Sequence, residues 1–157
     1  MIDADGYRLN VGIIVMNKGG ELLWAKRRRS RNAWQFPQGG IHEGEAPIEA
    51  MYRELNEELG LGVESVSVIA ETRGWHVYDL PEKYRRKHTF PMCVGQRQRW
   101  FLLKLEAEDS AVQLSLSSKP EFKDWRWVSY WKPLDQVIDF KRDVYRDVLS
   151  EFESYTK

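Results

Sequence analysis

The apolar and polar positions in the first part of the chain follow the pattern of β-strands. Residues 7–16 are nearly continuously apolar and β-branched, as expected of a buried strand, and 22–25 predict its hairpin partner after a turn. Further strands are predicted at 34–36, at 66–78 with a bend near Gly74, at 97–105 and at 125–128. Turns or loops are predicted where proline, glycine and charged residues cluster, at 17–20, 37–40, 80–94 and 115–123.

Helical spacing appears first between Pro47 and Gly60. Proline suits the first turn of a helix and glycine is expected just past its end, so these residues predict a helix over 47–59. The apolar residues of this segment share one arc of the helix and are expected to face the core: Ile48, Met51, Leu55 and Leu59. A short helix is predicted from Pro133 onward, and a final helix over 141–152.

The order of these elements predicts the α/β class, as an α/β/α sandwich with a mixed β-sheet. The chain has 157 residues, of which 42% are hydrophobic and 31% are charged. This length and composition predict one domain over 1–157 with a core of its own.

The sequence does not favour a membrane or secreted protein. The apolar run at 13–16 is far too short to span a membrane, and we find no basic and apolar leader before Gly6. Cys93 is the only cysteine, which excludes an internal disulfide and a cysteine-based zinc site. We therefore expect a cytoplasmic protein.

Three carboxylates of the helix over 47–59 lie on one side of it. At about 100° per residue, Glu57 and Glu58 fall near −60° and +40° from Glu54. Carboxylates at this spacing repel one another by a few tenths of a kcal/mol per pair, so the pattern indicates either a solvated acidic face or a cation site. Mg²⁺ prefers carboxylate and carbonyl oxygens, and Gly39 can add its carbonyl. Arg53 can pair with Glu45 or another carboxylate of this segment and hold the set in register.

The net charge is zero, but the basic residues are clustered. They form three groups: Lys26, Arg27, Arg28, Arg29 and Arg31; Lys83, Arg85, Arg86 and Lys87; and Lys141, Arg142 and Arg146. Each group by itself is interpreted as solvated surface. Because Mg²⁺ commonly bridges to substrate phosphates, the three groups together favour docking of a polyanion beside the candidate cation site.

The residues around the carboxylate helix form the pattern G-x5-E-x7-R-E-L-x-E-E-x-G-L, from Gly39 through Glu45 to Leu61. This pattern resembles the signature, or box, of the Nudix hydrolases, here at 39–61. The segments at 7–12, 34–40, 95–101 and 120–128 are similar to the bacterial RNA pyrophosphohydrolase group of that family. The tail at 140–145 points more toward RNA than toward the diadenosine polyphosphates that close relatives hydrolyse.

The resemblance implies a Nudix fold and metal-dependent hydrolysis of the 5′-triphosphate end of RNA. Pyrophosphate is then released, and the 5′-monophosphate left behind promotes mRNA decay. The implied cofactor is Mg²⁺, or Mn²⁺ or another divalent cation, and the implied ligands are Gly39, Glu54, Glu57, Glu58 and Glu121. The implied catalytic residues are Glu54, Glu57, Glu58 and Glu121, supported by Arg53. Whether Glu54 or Glu121 activates water is open.

The resemblance also implies residues that bind the RNA end. These are Arg8 and Arg27 for the phosphates, Arg28, Ile138, Phe140 and Lys141 for a base, and Tyr78, Gln96 and Gln98 as further candidates. Single-stranded RNA is usually read by stacking and edge contacts, which suits this set. For Ile138 and Phe140, packing of the last helix on the core is the alternative interpretation.

Three other functions are compatible with the same helix. A diadenosine polyphosphate hydrolase differs only in its nucleotide pocket, and a triphosphatase of the nucleotide pool prefers free nucleoside triphosphates, so nucleoside polyphosphates remain candidate substrates. A catalytically silent RNA- or nucleotide-binding module usually has a broken carboxylate set, whereas the set in this chain is complete.

Overall fold

The computed structural model describes residues 1–29, 33–85 and 92–156. The strands in these ranges are β1 (Tyr7–Met16), β2 (Leu22–Arg27), β3 (Trp34–Gln35), β4 (Gln38–Gly40), β5 (Val66–Glu71), β6 (His76–Asp79), β7 (Gly95–Leu105) and β8 (Phe122–Val128). The α-helices are α1 (Pro47–Leu59), α2 (Lys132–Gln136) and α3 (Arg142–Phe152). No helix within these ranges combines the length and hydropathy that crossing a lipid bilayer requires.

The sheet is mixed, and its centre is a parallel pair. β1 and β7 run parallel over ten residues, from Tyr7 beside Gly95 to Met16 beside Lys104. All other strand pairs are antiparallel: β2 and β4 pair with β1, β3 and β8 with β2, and β5 and β6 with β7. The predicted mixed sheet is therefore confirmed.

Each face of the sheet has its own apolar core. Successive residues of β1 point to opposite faces, so Ile13 packs with Leu55 of α1 whereas Ile14 packs in the cluster that contains Tyr145 of α3. All four side chains are almost completely buried. One helix covers one face and the C-terminal helix covers the other, which confirms the predicted α/β/α sandwich.

An aromatic cluster on the α3 face fixes the chain just before the box. Phe36, Trp24, Trp100 and Tyr145 meet mostly edge to face, with ring centroids 4.9–6.1 Å apart. The backbone N–H of Phe36 donates a 3.0 Å hydrogen bond to the Tyr145 hydroxyl. Since Phe36 lies two residues before β4, this packing positions β4 against β1.

Two predicted elements differ in the structure. Residues 37–40 were expected to form a turn, but 38–40 form β4 and pair with Asn10 to Gly12 of β1, because these backbone groups satisfy one another in the sheet. The long strand predicted over 66–78 is two strands, β5 and β6. Between them the Thr72 hydroxyl donates to the Gly74 carbonyl and accepts from the Trp100 N–H, which accounts for the bend expected near Gly74.

Helix α1 has the predicted bounds, but one of its four core positions was wrong. Gly60 has the left-handed conformation (φ 69°) and donates its N–H to the Asn56 carbonyl, which ends the helix. Met51, Leu55 and Leu59 are fully buried, whereas Ile48 is 41% exposed. Ile48 lies in the first turn, and the helical arc does not specify how far the sheet extends beneath the helix.

The two side chains Met51 and Ile48 make a matched test of this packing. Met51→Ala should lower the free energy of unfolding by about 2–5 kcal/mol, because it removes a buried side chain and leaves a cavity. Ile48→Ala should change it by less than about 0.5 kcal/mol. Urea denaturation of both variants measures the difference, and equal losses would contradict the observed orientation of the first turn.

Candidate active site

A cavity of about 1030 Å³ lies beside the box helix. It is lined by twelve of the residues predicted for the site: Arg8, Arg27, Gly39, Glu54, Glu57, Glu58, Tyr78, Gln96, Glu121, Ile138, Phe140 and Lys141. These residues come from β1, β2, β4, α1, β6, β7 and the segments around β8 and α3. The sheet therefore brings the acidic, basic and aromatic candidates to one cavity.

Arg53 lies behind the carboxylates and holds three parts of the box together. Its Nε and Nη2 atoms donate to the two oxygens of Glu45, both at 2.9 Å, and its Nη1 donates to Glu54 at 2.7 Å. Nη2 also donates to the Gly40 carbonyl at 2.7 Å, and Glu57 lies 3.5 Å from Nη1. The hydrogen bonds from Arg53 hold the pKa of Glu45 at about 2. The predicted pairing of Arg53 with Glu45 is present, and it extends to two carboxylates on the cavity wall.

Glu54 is packed directly against the backbone of β4. It is 8% exposed, and a Cβ atom at Gly39 would overlap its carboxylate. The absence of a side chain at Gly39 therefore makes the close approach possible. Burial raises the pKa of Glu54 even though Arg53 opposes the shift. The folded protein therefore disfavours the ionised form of this carboxyl group.

Glu58 has no compensating partner. Its Oε2 atom is buried without a hydrogen bond, and burial, with smaller effects of Glu54, Glu121 and Glu57, raises its pKa to about 8. A buried anion of this kind is normally paired or bound to a metal. A divalent cation would supply the missing positive charge, so the donor set fits such an ion.

The oxygens available to a cation come from both sides of the cavity. Gly39, Glu54, Glu57 and Glu58 belong to the box, and Glu121 lies on the segment before β8. In the part of the chain that the structure describes, no three His, Cys, Asp or Glu side chains already stand in a ligand arrangement. Side-chain rotation, for example of the half-exposed Glu57, would be needed to complete one.

Arg27 and Glu121 form an ion pair at the edge of the cavity, which the sequence did not predict. The Arg27 Nε atom lies 3.3 Å from Glu121 Oε1, and both side chains are more than 40% exposed. The Arg28 N–H donates to the Glu121 carbonyl at 2.8 Å and fixes this segment to the end of β2. The guanidinium of Arg27 and the carboxylate of Glu121, a candidate catalytic group, therefore lie next to each other at the edge of the cavity.

A network of buried side-chain amides joins the box to the nucleotide side of the cavity. Gln98 donates to Asn10 at 2.8 Å and accepts from the Trp100 indole at 3.1 Å. A longer contact of 3.4 Å links Gln98 to Gln38, which donates to the Tyr78 hydroxyl at 3.2 Å. Since Gln38 precedes Gly39, this network orients the backbone carbonyl proposed to face the metal.

Lys141 belongs to this network and not to a solvated surface. It is 7% exposed, and its Nζ atom donates to Gln35 at 3.2 Å and to Gln38 at 3.4 Å. Burial, together with the nearby Arg27, lowers the pKa of Lys141 to about 8. The interpretation of Lys141 as part of a solvated basic group with Arg142 was therefore wrong. Closeness in sequence does not indicate which strands will cover a side chain.

Aromatic rings form the wall beside Lys141. Phe140 lies between Tyr78 and Tyr84, with ring centroids 5.7 and 5.5 Å away, and Ile138 is 45% exposed at the same wall. Phe140 also packs against the α3-face core, so the core-packing interpretation and the cavity interpretation hold together. A planar base can be accommodated against such a wall.

Three predicted site residues do not line the cavity. Gln98 is fully buried in the amide network. Arg28 is exposed just after the end of β2, and Arg53 lies behind the carboxylates. The cavity also contains residues that the sequence did not single out: Asn10, Trp34, Gln35, Gln38, Leu80, Tyr84, Cys93 and Gln136. Gln35 and Gln38 belong to the segment at 34–40 that carries part of the family resemblance, but they were interpreted only as parts of a strand at 34–36 and a turn at 37–40. The predicted basic residues Arg31, Arg86 and Lys87 lie outside the described residues.

A family model described as the NUDIX domain matches residues 6–148. The chain therefore belongs to the Nudix family. The RNA pyrophosphohydrolase of Acinetobacter baylyi is 59% identical over 151 residues, which cover 96% of this chain and 90% of that protein. The RNA pyrophosphohydrolase of Shewanella oneidensis is 57% identical over 152 residues, which cover 97% of this chain and 87% of that protein.

Solved structures share the fold at much lower identity. The E. coli dihydroneopterin triphosphate pyrophosphohydrolase matches with a TM-score of 0.70 and 18% identity, over 92% of this chain and 98% of that one. A C. elegans Ap4A hydrolase matches with a TM-score of 0.63 and 19% identity, over 94% and 98% of the two chains. These similarities establish the Nudix fold and no finer function.

The raised pKa of Glu58 predicts a pH dependence of stability in the metal-free protein. The folded value of about 8 lies above the ordinary value of about 4.3, so the folded state holds the proton more tightly. The stabilisation is complete at pH values below the ordinary pKa and is lost as pH rises through about 8. Glu58→Gln should remove this loss, so its free energy of unfolding relative to wild type should rise from about pH 5 to about pH 9.

Chemical denaturation in chelator over this pH range measures the effect. Glu43→Gln is the matched control, because Glu43 is exposed in the loop before α1 and does not line the cavity. A difference between Glu58→Gln and wild type that stays constant with pH would show that the Glu58 carboxyl ionises normally.

Proposed function

We propose that this protein is an RNA pyrophosphohydrolase, which releases pyrophosphate from the 5′-triphosphate end of RNA and leaves a 5′-monophosphate. The observation that carries the proposal is a single cavity that combines an acidic wall, two arginines and an aromatic wall. It occurs in a chain that is 57–59% identical, over nearly its full length, to proteins named RNA pyrophosphohydrolase. The 5′-monophosphate product is the form through which such an enzyme would promote mRNA decay in the cytoplasm.

The cofactor that we propose is Mg²⁺, with Mn²⁺ as an alternative. Gly39, Glu54, Glu57, Glu58 and Glu121 are the residues that would hold it, and the unpaired oxygen of Glu58 supports this choice. When bound, such a cation offsets phosphate charge and increases the acidity of water. Arg53 keeps Glu54 and Glu57 on the cavity side of α1 and is a positioning residue.

The chain's own cations would bind the phosphates. Arg8 lines the cavity with its guanidinium against the backbone of Gly40, and Arg27 approaches from β2. Positive groups at non-bridging oxygens stabilise the charge that develops as the anhydride bond breaks. Glu54 and Glu121 are the two candidates to accept the proton of the attacking water.

The aromatic wall would bind the first nucleotides of the RNA. Ile138 and Phe140 provide an apolar surface for a base, and Lys141 presents donors beside it. Tyr78 and Gln96 close the same part of the cavity, and the Gln96 Oε1 atom is buried without a partner, so it can accept from a nucleotide amine. Gln98 and Arg28 act, in this proposal, only through their neighbours.

Product analysis on RNA labelled at its γ-phosphate tests the proposal. With Mg²⁺, the expected products are pyrophosphate and RNA with a 5′-monophosphate. Diadenosine tetraphosphate and free nucleoside triphosphates, assayed in parallel, are expected to give lower kcat/KM. A preference for either of them would favour the corresponding alternative, and no turnover of any of the three would favour a binding module.

The acidic wall should be essential for turnover. Glu57→Gln and Glu58→Gln should each lower kcat by roughly 10²–10⁴-fold without loss of folding, because charge stabilisation supplies most of the catalysis. The measurement is single-turnover hydrolysis of triphosphorylated RNA, with circular dichroism to establish folding. Glu43→Gln is the control and should retain full activity. Near-normal activity of either wall variant would contradict its role.

Arg27 should contribute to the salt dependence of RNA binding. Arg27→Ala is expected to reduce the slope of log K against log salt by up to about 0.7, the value for one contact to a single-stranded phosphate. Titration of RNA at several salt concentrations measures the slope. Arg73→Ala removes an exposed arginine between β5 and β6 that does not line the cavity, and its slope should equal that of wild type. An unchanged slope for Arg27→Ala would assign that residue to its ion pair with Glu121 alone.

A further inference from the structure

A tryptophan and an arginine form a cation–π pair at the edge of the cavity, and the proposed function does not use this pair. The Arg126 guanidinium carbon lies 4.4 Å from the centroid of the Trp34 ring. Trp34 belongs to β3 and Arg126 to β8, and both strands pair with β2. The two side chains therefore meet across β2, on the face of the sheet that also carries α3.

Gln136, at the end of α2, holds this pair in place. Its Oε1 atom accepts 2.8 Å from the indole N–H of Trp24, which is fully buried, and 3.2 Å from Arg126 Nη2. A hydrogen bond from the core thus fixes the side chain that orients the exposed guanidinium. This is a rigid arrangement for a surface arginine, whose rotamer freedom would otherwise be costly to restrict.

The pair continues the wall to which the first nucleotides are assigned. Trp34 and Gln136 line the same cavity as Ile138 and Phe140. Lys26, which lies opposite Trp34 in the β2–β3 register, adds a second positive charge at this edge. An RNA chain that leaves the cavity past Ile138 would therefore meet an aromatic and cationic surface.

The charge of Arg126 has no carboxylate partner in the part of the chain that the structure describes. Within the described ranges, Arg126 makes no ion pair. A second Arg–Trp pair, Arg99 over Trp75, shows the contrast, because Arg99 donates to Glu71 at 2.8 Å and the pair does not line the cavity. Of these two Arg–Trp pairs, only the one at the cavity edge has an arginine that makes no ion pair with a described residue.

We propose that Trp34, Arg126 and Gln136 form a subsite for a ribonucleotide that lies downstream of those bound at the 5′ end. The base stacks on the Trp34–Arg126 pair, and the guanidinium attracts the adjoining phosphate. Stacking accepts any base, so this subsite adds affinity with little sequence preference. The inference rests on the proposed function for its substrate class, RNA.

Binding of RNAs of increasing length tests the subsite without turnover. The probes are 5′-monophosphorylated RNAs of one to eight nucleotides, titrated in chelator. Wild type should gain affinity stepwise with length. Trp34→Leu and Arg126→Ala should bind the mononucleotide as wild type does. From one particular RNA length onward, both variants should bind about tenfold more weakly than wild type.

Matched variants separate stacking from charge and from general damage. Arg126→Lys keeps the charge but not the plane, so it should recover only part of the lost affinity. Trp75→Leu and Arg73→Ala remove an exposed tryptophan and an exposed arginine elsewhere and should match wild type at every length. Thermal unfolding of each variant establishes that it folds. If Trp34→Leu does not fold, Arg126→Ala still tests the subsite, because Arg126 is exposed.

The outcomes distinguish this inference from the proposed function. An equal loss at all lengths, a loss for the mononucleotide, or no loss at any length would overturn the subsite. If wild type and the variants show the length-dependent difference but wild type releases no pyrophosphate from triphosphorylated RNA, the subsite stands and the proposed function fails.

Discussion

The confinement of like charges beside the box helix is the constraint on which the rest of the site depends. Glu54 is buried against Gly39, and the Oε2 atom of Glu58 is buried without a hydrogen bond to a described residue, so both carboxylates have raised pKa values. Arg53 offsets part of this repulsion from behind, through Glu45, Glu54 and the Gly40 carbonyl. The remaining excess of negative charge faces the cavity, where a divalent cation would compensate it.

The opposite wall of the cavity is organised by neutral hydrogen bonds. Gln38 lies between the box and the nucleotide side, since it contacts Tyr78, Gln98 and Lys141 and immediately precedes Gly39. A buried network of this kind is stable only when its members satisfy one another, which restricts the positions that β4 can adopt. The same residues therefore set the geometry of the acidic wall and the surface offered to a base.

Much of this arrangement follows from short-range patterns. The bounds of α1 follow from Pro47 and Gly60, and the shared side of Glu54, Glu57 and Glu58 follows from the helical period. Residues separated by many positions were harder to assign. Trp34, Gln35 and Gln136 were not recognised as cavity residues, because strand pairing and helix docking, which local periodicity does not specify, bring them to the cavity.

The sequence by itself determined the α/β class, the carboxylate helix and the Nudix resemblance, because these depend on spacing along one segment. Only the tertiary structure decided which of those side chains are buried. It left Ile48 exposed on an apolar arc, and it buried Lys141 and Gln98 among polar neighbours. Burial is a property of what packs opposite a residue, and the hydrogen-bond partners of Gln98 and Lys141 come from β1, β3 and β4, far away in the chain. The pKa values follow from that packing, as does the absence of an ion pair to Arg126 among the described residues.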